Sequence, residues 1–116
     1  MVPVRVSLPD TCGLGLALSV IAGRWKSVIL WELHERPLRF GELRRRLPGI
    51  SEKVLYEQLR EMEHGGVVRR EAFEEAVLRV EYSLTPAGTA LNDAAHVLAQ
   101  WGLAHAGRGK LPAAAE

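Results

Sequence analysis

Lys53, Tyr56, Glu57 and Arg60 recur at helical spacing along one side of the segment 51–64, and each has a long polar arm. Side chains of this kind hydrogen-bond to phosphate oxygens and to base edges in a duplex. Lys53 suits a phosphate or a guanine edge. Tyr56 suits a thymine methyl or a phosphate, and suits packing on its neighbours nearly as well. Arg60 can reach a phosphate or pair along the helix with Glu57 or Glu63. Ser51, at the segment's start, can cap the helix and can hold a phosphate where the helix dipole favours an anion. Upstream lie Arg39, Arg44, Arg45 and Arg46. Three consecutive arginines cannot all face one way on a helix, so one or two are expected at a nucleic-acid backbone. Between Arg36 and Arg60 seven basic residues stand against three acidic ones, a surplus of four, although the whole chain carries only +1. A basic region on a nearly neutral protein fits a focused phosphate contact better than a polycation's diffuse pull.

These residues need a helix to position them, and both of its ends are written in the sequence. Pro48 and Gly49 interrupt what precedes, Ser51 is a good N-cap, and Gly65-Gly66 is a good stop. Leu55, Leu59 and Met62 form the apolar stripe opposite the polar face. Just before, residues 40–47 read as a short helix with Phe40, Leu43 and Leu47 on one side. Two short helices joined by a Gly-containing turn form a helix-turn-helix, and Leu38, Arg39 and Phe40 can add a small strand. After Gly66 the apolar period becomes two. Residues 67–73 and 79–84 predict two strands, the second with Val80, Tyr82 and Leu84 on one side. A hairpin following a recognition helix is a wing; either its acidic tip, Glu74 and Glu75, points away from DNA, or Arg79 with Arg69 and Arg70 makes its backbone contacts.

Both ends of the chain are rich in apolar residues. A first helix begins at Leu14 and a second at about Trp25. A last helix opens with Thr85 as N-cap and Pro86 at its first position, then runs to about residue 106. One buried face per helix would suffice for a monomer. The excess predicts a homodimer in which Leu14, Leu18, Ile21, Leu91, Leu98 and Trp101 form the interface. Trp25, Trp31 and Trp101 read as core or interface. The expected organisation is an arm over 1–11, one domain over 12–106 and a tail over 107–116. The fold class is mainly α with a small β-hairpin.

No apolar run spans a bilayer, and a secretory leader pattern is lacking, which favours the cytoplasm. A single Cys12 excludes an intramolecular disulfide and is the one residue with a plausible redox role. His34, His64, His96 and His105 lack metal-ligand spacing, so neither metal nor cofactor is expected. No nucleophile–base pair or phosphate-cradling glycine loop points to an enzyme. Two functions remain: a DNA-binding regulator, or a winged-helix module that binds protein and no operator. Arg44, Arg45, Arg46 and Lys53 favour the first, with double-stranded DNA as the partner.

The segments Ile21-Ala22-Gly23-Arg24-Trp25-Lys26, Arg39-Phe40-Gly41-Glu42-Leu43-Arg44-Arg45, Gly49-Ile50-Ser51-Glu52-Lys53-Val54-Leu55 and Val80-Glu81-Tyr82-Ser83-Leu84-Thr85-Pro86-Ala87-Gly88, in that order after Cys12, resemble the HxlR-type winged helix-turn-helix regulators. The resemblance covers roughly residues 12–106. It implies a prokaryotic homodimer, paired through its first and last helices, that represses or activates genes from a pseudo-palindromic operator. It also allows thiol sensing at Cys12. Independently of the resemblance, a cavity at the expected dimer interface offers room for a small apolar effector. The chain departs from the family's pattern at the wing tip, where Glu74, Glu75, Ala76, Val77 and Leu78 stand in place of prolines, and at Gly13, which follows Cys12 where proline is usual.

Overall fold

The computed structural model describes residues 12–105. The expected arm and tail lie outside the described residues. Five helices and three strands follow in the order α1 (Gly13–Ile21), α2 (Lys26–Leu33), β1 (Leu38–Arg39), α3 (Phe40–Arg45), α4 (Glu52–His64), β2 (Val68–Phe73), β3 (Arg79–Leu84) and α5 (Pro86–Ala104). The strands form one antiparallel sheet in the order β1-β3-β2. Leu38 pairs with Tyr82, and Val68 with Leu84. The hairpin β2–β3 is the wing, and β1 stitches it to the helices.

The core is built from the middle of the chain. Ile29, Leu30 and Leu33 of α2, Leu43 of α3, and Leu55, Leu59 and Met62 of α4 are buried, together with Leu38, Val68 and Tyr82 of the sheet. Leu47 and Ile50, flanking the turn between α3 and α4, and Val67, just after α4, complete it. Gly49 makes that turn with φ +93°, in the left-handed region where a β-carbon is costly. Gly66 stops α4 in the same way at φ +81°, while Val67 N–H donates to the Met62 carbonyl at 3.1 Å.

The terminal helices stand largely outside this core. No residue of α1 is buried. On α5 only Gly88 and Asn92 are buried. Leu14, Leu16 and Leu18 of α1 are exposed, as are Val97, Leu98 and Trp101 of α5. Trp25 packs against the core, but Trp31 and Trp101 do not enter it. A core role for those two tryptophans is therefore corrected: the α2–α4 and sheet residues already fill the interior, leaving both indoles outward.

The start of α5 is bolted to the end of α4. The Thr85 hydroxyl donates to the Gly66 carbonyl at 2.6 Å and accepts from Gly88 N–H at 3.0 Å. Gly88 lies so close to the Val67 carbonyl oxygen that a β-carbon would sit 2.1 Å from it, well inside van der Waals contact. The obstacle is backbone and cannot swing aside. Gly88→Ala should therefore destabilise the fold by about 1–3 kcal/mol or more, as overpacking does. Gly102→Ala, where no described residue lies within 4 Å, should be neutral or stabilising by up to about 1 kcal/mol. Urea unfolding of both variants checks the pair; equal midpoints would contradict the close-packing assignment.

Candidate nucleic-acid interface

The rotation of α4 about its own axis is set by Leu55, Leu59 and Met62, all almost wholly buried. Each such burial contributes roughly 1.5–3 kcal/mol, more than any surface contact on the opposite side. Lys53, Tyr56, Glu57 and Arg60 are consequently turned outward, and all four are exposed. The Ser51 hydroxyl accepts from Val54 N–H at 3.1 Å, closing the first turn. Ser51 is itself exposed, so capping leaves it accessible.

A second clamp fixes α4 from the side. Lys26, at the start of α2, donates from Nζ to Glu61 at 2.6 Å and to Gln58 at 3.0 Å. Its side chain is only 12% exposed. This tie joins residues 35 apart, and nothing in local spacing announces it.

The basic residues of 36–60 divide into two groups. Arg36 pairs with Glu42, Arg44 with Glu52 at 3.6 Å, and Arg46 with Glu32 at 3.4 Å. Arg44 Nε also donates to the Ile50 carbonyl at 3.4 Å, bracing the turn. Arg39, Arg45, Lys53 and Arg60 make no ion pair among the described residues, so the pairing of Arg60 with Glu57 or Glu63 is not formed. Arg45 and Arg44 also line a concave surface of about 470 Å³ between α3 and the turn, beside Pro48 and Glu52.

The start of α3 is held by Arg39 N–H, which donates to Glu42 at 3.0 Å. That bond holds the Glu42 carboxyl below its ordinary value, against burial, and Arg36, Arg45 and Arg46 add to the lowering. Tyr56 stacks on Phe40 of α3, with ring centroids 4.0 Å apart and planes 17° from parallel. Its ring therefore belongs partly to the seam of the helix pair.

The wing presents its cations unequally. Arg69 and Arg70 on β2 are exposed. Arg79 turns inward instead. It pairs with Glu75 at 2.9 Å and with Glu81, and its guanidinium lies 4.1 Å from the centre of the Phe73 ring. Residues 79 and 81 share one face of β3, so the strand's own alternation brings charge and counter-charge together. The expectation that Arg79 reaches a DNA backbone is met by a guanidinium whose partners are already in the hairpin. It also holds the acidic tip in place. The positioning residues that the sequence does not single out are Lys26 and Gln58, brought together only in the folded chain.

Residues 20–110 match the HxlR-like helix-turn-helix family. An uncharacterized HTH-type transcriptional regulator of Methanothermobacter thermautotrophicus is 40% identical over 91 residues, 78% of this chain and 70% of that one. A MarR-family transcriptional regulator from Enterococcus faecalis V583 superposes with a TM-score of 0.80 at 45% identity, over 90% of this chain and 94% of that one. The reduced form of the redox regulator HypR superposes at 0.74 with 35% identity, over 80% and 92%.

Acid tests the wing. The hydrogen bonds from Arg79 hold the Glu75 carboxyl below its ordinary 4.5. A depressed folded-state value makes the pair's contribution present above pH 4.5 and lost as pH falls through the lower, folded value. Amide exchange at the hairpin tip, taken relative to the intrinsic rate at each pH, should therefore speed up in acid below that window. In Arg79→Ala it should already be fast at neutral pH. Slow exchange in Arg79→Ala at pH 7 would sink the brace.

Proposed function

This chain belongs to the HxlR-like helix-turn-helix family and is a DNA-binding transcriptional regulator of winged helix-turn-helix architecture, and from that premise we propose that two copies bind a pseudo-palindromic operator, each laying α4 in a major groove. The single observation that carries this reading is the two-sided α4: its apolar stripe is consumed by the core, and Lys53, Glu57 and Arg60 are left facing out. Lys53 and Arg60 serve phosphate or guanine; Glu57 accepts from a cytosine amino group. Ser51, Arg39, Arg44 and Arg45 position the helix pair on the backbone, with Arg44 leaving its ion pair with Glu52 to do so. Tyr56 contributes its hydroxyl edge while its ring stays on Phe40. Arg69 and Arg70 replace Arg79 as the wing's contacts.

Pairing is supported by the apolar surface that one copy leaves in water. Leu14, Leu18, Ile21, Leu91 and Leu98 line an apolar groove of about 420 Å³ between α1 and α5. Leu98 is 50% exposed and Trp101 59%. Monomeric proteins rarely leave such a contiguous patch uncovered. A second copy supplies the matching face by two-fold symmetry.

A thiol switch at Cys12 is a second element of the reading. Cys12 is partly buried at the N-cap of α1, within the segment assigned to pairing. Because this sequence holds one cysteine, a disulfide would join two copies or cap the thiol with a small partner. The likeness to a redox regulator favours such control.

Selection of bound duplexes from a random pool, followed by titration, tests the operator reading. Lys53→Ala and Arg60→Ala should each weaken binding by roughly 1–3 kcal/mol without moving the melting temperature. Each should also lower the salt slope by about one for every phosphate it ceases to neutralise. Variants that bind like the parent would remove this face from the interface. Leu98→Glu should turn a dimer into a monomer by light scattering; a parent already monomeric at micromolar concentration contradicts the pairing.

A further inference from the structure

The flank of α5 facing α2 carries a second concavity, separate from the α1 groove apart from Ala95, which both share. It measures about 330 Å³. Val28, Trp31, Ala95 and Ala99 give it apolar walls; Ser27, Asn92 and His96 are its polar groups. Asn92 is the one buried polar side chain among the described residues, at 8% exposure. Its amide makes no hydrogen bond with any described residue. Buried amides without a partner are uncommon, and a primary amide offers both donors and an acceptor. Trp31 and His96 lie parallel, 5° apart in plane with centroids at 5.9 Å, and form an aromatic wall.

We propose that this cavity is the binding site of a small neutral aromatic effector, anchored by one hydroxyl or carbonyl group on the Asn92 amide. Size sets the first limit. Ligand sites begin near 300 Å³, and a dry cavity of about 150 Å³ holds benzene. The space here fits one substituted ring or two fused ones. Charge sets the second. Among the described residues no Lys, Arg, Asp or Glu lines the cavity, and a carboxylate or ammonium group would enter without a counter-charge. The shape of the wall sets the third, because indole and imidazole faces favour a flat ring.

Its link to DNA runs along α2. Ser27 and Trp31 form the cavity wall, and the adjoining Lys26 grips Glu61 and Gln58 of α4. A ligand that shifts α2 against α5 moves this grip, and with it the reading helix. This regulatory half rests on the DNA-binding reading above; occupation of the cavity does not.

The probe is 2-naphthol, with naphthalene as its counterpart lacking the hydroxyl. In calorimetry without DNA, the parent protein should bind 2-naphthol saturably. Asn92→Leu should weaken 2-naphthol at least fivefold and leave naphthalene unchanged. Ala99→Phe, on an exposed position that tolerates bulk, should abolish both, so the cavity stays testable even if Asn92→Leu fails to fold. No saturable heat with the parent, or full binding in Ala99→Phe, overturns the site. Unaltered 2-naphthol affinity in a folded Asn92→Leu overturns the anchor. On selected DNA, saturating 2-naphthol should change the parent's Kd at least threefold. Lys26→Met should remove that change while still binding 2-naphthol. Binding of the probe with DNA affinity unmoved would overturn the effector role and leave operator binding itself intact.

Discussion

Burial of Leu55, Leu59 and Met62 is the constraint on which the rest of the structure depends. A helix seated by three side chains on one stripe has no freedom to roll. Every other side chain on it is thereby assigned an outlook. Leu30 and Leu33 of α2 and Leu43 of α3 belong to the same buried core as that stripe. Removing Leu59 would cost on the order of 2–5 kcal/mol, a large share of the roughly 5–15 kcal/mol that a typical domain possesses.

Around that centre the chain is unevenly satisfied. The middle closes its own interior, while α1 and α5 carry apolar surface that no described residue of the same copy covers. Gly88 explains how α5 can start so close to the core and yet leave it. The helix begins against the Val67 carbonyl, bolted by Thr85, and then departs along the side of α2. Near its start, Asn92 is the last position at which it is deeply enclosed.

Much of this is legible in the sequence, and the reason is locality. Ser51 and Gly66 mark the ends of α4 through bonds to neighbours three to five residues away, so residue type alone reveals them. The stripe of α4 and the alternation of β3 are periodic, and period reports which face is buried. Distant partners leave no such trace. Lys26 reads as one more surface lysine until α4 is packed beside it. Gly88 reads as an ordinary helical glycine until the Val67 carbonyl arrives. Asn92 sits among apolar neighbours with nothing in its spacing to set it apart. Arg79 misleads for a related reason: its partner Glu75 reaches it only once the hairpin tip has folded back. The outward set on α4 is readable as a set, but which of the arginines stay unpaired depends on ion pairs to other helices.

The wing has a wider consequence through its charge. Residues 67–84 hold three arginines and four glutamates, whereas residues 36–60 carry a surplus of four positive charges. One end of the reading unit is therefore attracted by a polyanion and the other faintly repelled. In a duplex's field such a body experiences a torque as well as a pull. It is turned toward the groove before it touches, so fewer collisions arrive wing first.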